Sequence, residues 1–395
     1  MMDDIILGSA VRTPIGSFNG SLASVPAPRL GSLVISEAIR RAGIEPGQVD
    51  EVYMGNVVGA GMGMAPARQA AIAAGLPHSV GATTINKVCG SGLKAVMLAA
   101  QAIRTGDAQI IVAGGMESMS QTPYLLDKAR TGYRMGHGQV IDSMIHDGLW
   151  EVFNDFHVGV CGEICAERYR ISRQEQDRYA IQSYTRALSA QRGGEFKAEI
   201  IPVKVNGGKG ETAVVEVEED EEPSRLSLDK IPALKPSFKE GGTITAANAP
   251  AVNDGAAAVT VLSGRRAAQL GVQPLGRIVG YAQAAQAPEW FSIAPADAIK
   301  NVLKKTGLTI HDIDLFEINE AYAVVALVNM QILGLPEDRV NLKGGAVALG
   351  HPIGATGARI LTTLLYLMQE QEARRGLCAL CLGGGEAIAL IVERI

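Results

Sequence analysis

Charge and aromatic rings are both scarce in this chain. Of 395 residues, 19% are charged and 5% aromatic, and 36 Lys and Arg against 41 Asp and Glu leave a formal net charge of −5. Nucleic-acid binding would need a clustered basic face, and the sequence has none. Long apolar runs are missing too, so no transmembrane helix is expected. The acidic start Met1-Met2-Asp3-Asp4 and the short run Ile5-Ile6-Leu7 do not make a secretory signal. The end, Glu393-Arg394-Ile395, carries neither a prenylation box nor a peroxisomal address. Cysteine is rare, 5 in all; an odd count in so long a chain argues against a disulfide framework and for a reducing cytoplasm.

Glycine and aliphatic bulk are plentiful. Gly numbers 46 while 47% of residues are hydrophobic, which points to tight turns inside a large buried interior. The length exceeds one ordinary core and suits two or three units. Strand-like runs at 5–11, 49–56 and 109–113 alternate with helical spacing at 30–42, 65–74 and from Leu93 onward. Gly383-Gly384-Gly385 breaks the apolar stretch 377–392 into two buried strands. The cluster Gly59-Ala60-Gly61-Met62-Gly63-Met64 lacks the register of a dinucleotide fingerprint. Strands alternating with helices predict an α/β fold whose sheet is covered on both faces.

This grammar occurs twice. Residues 35–44 match 299–308 at an offset of 264, which holds through Val49-Asp50 and Ile313-Asp314. Ile111-Val112-Ala113-Gly114-Gly115-Met116-Glu117 resembles Leu380-Cys381-Leu382-Gly383-Gly384-Gly385-Glu386 at an offset of 269, which sets Cys381 in the place of Val112. A duplicated α/β unit is predicted, two halves sharing a central helix layer. Residues 121–245 differ: charge and turns are denser, as at Arg130-Thr131-Gly132 and Asn206-Gly207-Gly208-Lys209-Gly210. The acidic run 216–222 is expected to be a solvated surface loop. Ser172 with Glu175 forms a capping box for a helix over 174–191. The expected units are 1–120 with about 246–272, an inserted loop segment 121–245, and 273–395. Open α/β sheets bind ligands beyond their strand ends, which the insertion would cap.

Reactive side chains lie among the glycines. In Asn86-Lys87-Val88-Cys89-Gly90-Ser91-Gly92-Leu93-Lys94, Cys89 stands on a tight turn before a helix. The dipole and free N–H groups there are expected to lower its thiol pKa and make a nucleophile. A small buried cysteine in a packing site is the alternative. His351 precedes a glycine turn in Gly350-His351-Pro352-Ile353-Gly354-Ala355-Thr356-Gly357 and a helix over 358–368. Cys381 precedes the triple glycine, and Glu317-Ile318-Asn319-Glu320-Ala321-Tyr322 ends a strand. A four-cysteine zinc site from Cys161, Cys165, Cys378 and Cys381 is discounted, because alternation along a strand points Cys378 and Cys381 to opposite faces.

Taken together, these blocks resemble the thiolase family over nearly the whole length, with His157-Val158-Gly159 and Asn248-Ala249-Pro250-Ala251-Val252-Asn253-Asp254-Gly255 as further matches. The resemblance implies a duplicated five-layer αβαβα fold with an inserted loop domain, a homotetramer built as a dimer of dimers, and acetyl-CoA C-acetyltransferase activity. It makes Cys89 the acyl-accepting nucleophile, His351 its proton acceptor and Cys381 the base that removes an α-proton. Asn319 would hold a water on the enolate oxygen, and the Gly383 N–H would join that of Cys89 in the oxyanion hole. Coenzyme A contacts carried over are Leu149, His157, Arg225, Phe238, Ala246, Ala249 and Tyr322. No prosthetic group is implied; acetyl-CoA, acetoacetyl-CoA and CoA are the partners. A potassium site is implied among the Tyr184 hydroxyl and carbonyls near Ala246, Ala247, Ala249 and Val347.

Four positions depart from the family pattern. Val158 stands for a usual Met, Pro250 for Ser and Lys343 for Asn. Glu386 follows the triple glycine, as Glu117 follows Gly114-Gly115 in the first repeat, which favours a structural role. Three alternatives stay open: a longer-chain 3-ketoacyl-CoA thiolase of β-oxidation, a ketoacyl-ACP synthase, and a non-catalytic acyl-CoA-binding paralogue. The ketoacyl-ACP synthase has no need of a cysteine like Cys381.

Overall fold

The computed structural model describes residues 4–206 and 214–395. The glycine turn expected at 207–210 lies outside the described residues. The main elements of the first half are strand β1 (Ile5–Arg12), helix α1 (Ala27–Arg41), β2 (Glu51–Gly55), α2 (Pro66–Ala73), β3 (Gly81–Ile85), α3 (Ser91–Thr105) and β4 (Ile110–Ser118). Helices α4 (Val158–Tyr169) and α5 (Arg173–Gly193) lie in the insertion, and β5 (Asn253–Ser263) returns to the first half. The second half holds β6 (Gly276–Ala285), α6 (Ala294–Thr306), β7 (Leu315–Ile318), α7 (Ala323–Leu333), α8 (Thr356–Glu370), β8 (Arg375–Leu382) and β9 (Glu386–Glu393).

Strand order shows the duplication directly. The first half runs β3-β2-β4-β5-β1, and the second runs β7-β8-β9-β6 with Val340 bridging Phe316 where a fifth strand would lie. The central strands β1 and β6 join through Ile6–Arg277 and Leu7–Gly276, so the two sheets form one hydrogen-bonded ribbon. Alternation sorts each strand's side chains to two faces. Ile111 and Ala113 meet α3 and α8, while Ile110 and Val112 meet α1 and α2. In β8, Cys378 and Leu380 face the α3–α8 layer, and Leu377 and Ala379 face α6 and α7. The order helix, sheet, helix, sheet, helix follows. The middle layer is tight because α3 and α8 cross at glycines: a Cβ on Gly357 would lie 2.5 Å from the Leu93 nitrogen, and one on Gly92 would lie 2.9 Å from that of Ala358.

Three expectations change. Strand β4 does not stop at Ala113 but continues through Gly114-Gly115 to Ser118, packed against β5. Pairing also corrects the second repeat match. Ile111 lies opposite Glu51 as Gly376 lies opposite Leu315, so Cys381 corresponds to Met116, not Val112, and the shared glycines are a coincidence of composition. Finally, the acidic run is solvated only in part: Glu216, Glu218 and Glu219 are exposed, but its end is built in. Asp220 is fully buried and accepts from the two terminal guanidinium nitrogens of Arg12, at 2.7 and 2.8 Å, while Glu199 accepts from the Arg12 Nε at 2.7 Å. Glu221 accepts the N–H groups of Ser17 and Ser21. This run stitches the insertion to β1, a use of acidic residues that composition alone does not reveal.

Candidate active site

Cys89 sits where β3 has ended and α3 begins. Val88 before it has φ 47°, a left-handed conformation that costs a β-branched residue energy and persists only if neighbours enforce it. They do: Val88 N donates to Asn86 Oδ1 at 3.0 Å, Lys87 N donates to Ser91 Oγ at 2.8 Å, and Ser91 Oγ donates to the Val88 carbonyl at 2.6 Å. Gly90 is required because a Cβ there would run into Leu382 and Ile388 of the second half.

The backbone N–H groups of Gly383 and Cys89 are directed at the thiol, yet burial outweighs them and pushes its pKa up to about 12. Against the expectation of a thiol already ionised at the helix start, desolvation outweighs these two N–H groups. Cys89 needs a partner to take its proton. His351 supplies one. Its ring Nδ1 lies 2.7 Å from Thr356 Oγ1, whose single proton goes to the Pro352 carbonyl at 2.9 Å. Nδ1 must therefore be the donor, which leaves the Nε2 lone pair as a base. Burial, with the charge of Arg359 adding to it, lowers the imidazole pKa to about 3. Cysteine and histidine thus both rest neutral on one cavity, and the His351 Nε2 has no hydrogen-bond partner among the described residues.

One apolar cavity of about 180 Å³ is lined by Cys89, His351, Cys381 and Gly383 together. Leu149, His157, Phe238, Ala249 and Tyr322 also line it, as do Val158 and Pro250. His157 accepts the Gly159 N–H on Nδ1 at 3.0 Å, so its Nε2 carries the proton as a donor. Phe238 stacks on His157 with ring centres 4.7 Å apart and meets Tyr322 edge-on at 5.9 Å. Cys381 is fully buried, and desolvation lifts its pKa well above the ordinary thiol value. Asn319 is buried just beyond β7, off the cavity wall, and its side-chain amide has no protein hydrogen-bond partner among the described residues.

Not every candidate converges here. Arg225 is exposed, paired with Glu221 at 2.9 Å, and Ala246 is exposed; neither lines the cavity. Tyr184 and Val347 pack together in the core of the second half, and Ala247 is buried. Carboxylates of Glu222 and Glu320 lie close enough to Tyr184 to raise its hydroxyl pKa further. Sequence reasoning missed Thr356, Phe291, Met119 and Ile353. A hydroxyl in the first turn of the helix after His351 was the available sign for Thr356; Phe291 had none.

Glu117 has the structural role expected of it. It is fully buried at the end of β4 and accepts Asn56 Nδ2 at 2.7 Å, Val57 N at 3.0 Å, Val58 N at 3.3 Å and Gly354 N at 2.8 Å. It thereby braces the turn after His351 against the first half. Glu386, by contrast, is half exposed and pairs with Lys87, so the two glutamates are not equivalent. Glu117→Ala leaves several buried donors unpaired at roughly 1–3 kcal/mol each. A fall in melting temperature of many degrees is expected by calorimetry, and an unchanged melting point would refute the bracing role.

Matches to known proteins cover the same two halves. The thiolase N-terminal domain matches residues 5–265 and the thiolase C-terminal domain residues 272–394. Acetyl-CoA acetyltransferase 1 of Arabidopsis thaliana is 52% identical over 391 residues, covering 99% of this chain and 94% of its own. The acetyl-CoA acetyltransferase of Cupriavidus necator is 51% identical over 393 residues, 100% of both chains. The crystal structure of the Bacillus anthracis acetyl-CoA acetyltransferase superposes with a TM-score of 0.97 at 39% identity, covering 100% of this chain and 99% of that one. With the fold, both halves and the full length in agreement, this chain belongs to the thiolase family.

Proposed function

We propose that the protein is an acetyl-CoA C-acetyltransferase that reversibly joins two acetyl-CoA into acetoacetyl-CoA and CoA. The observation that carries this reading is the convergence of Cys89, His351, Cys381 and Gly383 on one apolar cavity. His351 Nε2 takes the Cys89 proton as the sulfur attacks the acetyl carbonyl, and the oxyanion is met by the N–H groups of Cys89 and Gly383. Donors of that kind are worth about 3–4 kcal/mol of barrier each. The departing CoA thiolate takes the proton of Cys381. A desolvated thiolate and an imidazolium then face each other, and burial makes that thiolate a strong base. It removes the α-proton of a second acetyl-CoA, whose enolate oxygen is held by His351 and an Asn319-bound water. The carbanion attacks the acetyl-Cys89 carbonyl, and the expelled Cys89 sulfur regains its proton from His351. Both cysteines and the histidine end as they began.

The pantetheine arm would run past Leu149, His157, Phe238, Ala249 and Tyr322, a mostly apolar lining with the His157 Nε2 and the Tyr322 hydroxyl as donors, in keeping with small-ligand sites. Arg225 and Ala246, outside the cavity, would meet the nucleotide end. The oxygen donors around Tyr184 suit a hard cation, and potassium there would brace the 246–249 segment. A dimer of dimers is the proposed assembly. Among the described residues the edge strand β3 has no neighbour on its outer side, and Tyr124, Leu126, Met135 and Val140 are exposed apolar side chains in one segment. A reducing cytoplasm is the proposed compartment, because the chemistry needs two free thiols. No helix among the described residues is long and apolar enough to cross a membrane.

Val158 on the cavity wall favours a second reading, with room for longer acyl chains in fatty-acid metabolism. Thiolysis of unbranched C4, C6 and C8 and of 2-methyl 3-ketoacyl-CoAs, in potassium and in sodium, decides between them. Greatest kcat/KM at C4 is expected. A steady rise to C8 would favour the longer-chain reading, and no thiolysis of any would sink both.

A further inference from the structure

We propose that Lys87 and Glu386 are a positioning pair that sets the direction of the two oxyanion-hole N–H groups. The inference rests on the acyltransferase reading above. The two donors come from opposite halves. That of Cys89 belongs to the turn 86–90, and that of Gly383 to the turn between β8 and β9, where Gly384 and Gly385 both have φ 86°. Neither turn is fixed by the other's backbone ladder. Their mutual contacts are largely apolar: a Gly383 Cβ would lie 3.4 Å from Val88 Cγ1, and Gly90 abuts Leu382 and Ile388. Such contacts are non-directional; they set how near the turns come, not how each is rotated.

Lys87 and Glu386 add a directional link. The Lys87 ammonium pairs with the Glu386 carboxylate, from a residue two before Cys89 to a residue three after Gly383. Each backbone is tied down beside its charge. Lys87 N donates to Ser91 Oγ, and Glu386 pairs with Leu382 across the turn and with Ala285 of β6. A pull on either side chain therefore moves a donor-bearing turn. Lys94, on the first turn of α3, feels both charges, so the carboxylate faces two ammonium groups.

The side chains are 25% and 36% exposed, so the pair adds little to stability. Its effect is geometric, and misplacement by about 1 Å at a reacting centre costs on the order of 10²-fold. Glu386→Gln and Lys87→Met are each expected to lower kcat for acetoacetyl-CoA thiolysis about tenfold, a fraction of that limit, with KM within about twofold. The charge-swapped double variant K87E/E386K restores most of the loss. Melting temperatures of all three should stay near that of the unaltered protein, separating positioning from folding. Single variants within twofold of the unaltered kcat would overturn the proposal, as would a double variant no faster than the singles. An unaltered protein that fails to cleave acetoacetyl-CoA would instead sink the acyltransferase reading.

Discussion

Cys89→Ala is expected to lower acetoacetyl-CoA thiolysis by on the order of 10⁴-fold or more, because the covalent route is lost and only binding and the oxyanion donors remain. The resting pair makes a second, independent mark. With the thiol pushed up to about 12 and the imidazole down to about 3, neither group is charged near neutrality. Only the thiolate reacts with iodoacetamide, so alkylation of Cys89 in the free enzyme should climb with pH across the whole range from about 6 to 10, without levelling. A preformed thiolate–imidazolium pair would instead give a plateau near neutral pH. Residual turnover above about 1% in the alanine variant would remove Cys89 from the mechanism.

Cys381→Ala separates the two half-reactions. Condensation should fall by about 10²–10⁴-fold, the usual worth of a placed general base. Acetyl transfer from acetyl-CoA to Cys89 should survive, because His351 holds the tautomer that takes the Cys89 proton and can return it to the leaving thiolate. Intact-mass measurement after mixing with acetyl-CoA should show one acetyl group, on the peptide containing Cys89. Loss of both condensation and acetyl-enzyme would reverse the two cysteines' assignments, and condensation near the normal rate would remove Cys381 as the base.

Much of this architecture was legible because period and punctuation are local. The offset of 264 aligns Gly43 with Gly307 and β2 with β7, and the capping box at Ser172 and Glu175 opens α5 at Arg173 as expected. Register is not local. Whether Cys381 answers to Val112 or Met116 depends on which residues face Glu51 and Leu315 across a sheet, and glycine runs misled where pairing decided. The site behaved likewise. The reactive residues stand in glycine-marked turns and could be named one by one. Thiol pKa could not, because it is set by how much protein covers the sulfur, and that cover comes from distant segments. Asp220 was misjudged for the same cause: its partner Arg12 lies 208 residues away, as the Gly354 N–H that Glu117 accepts lies 237 away.

The glycine crossing of α3 and α8 bears on how such a chain could arise and fold. Each half lends one helix to the shared middle layer, and the inner face of each sheet is covered by both helices. A half made alone would leave that face uncovered and would have to pair with a second copy of itself. The chain's two halves should melt in one transition rather than two, and neither should persist as a monomer after cleavage at the 271–275 junction.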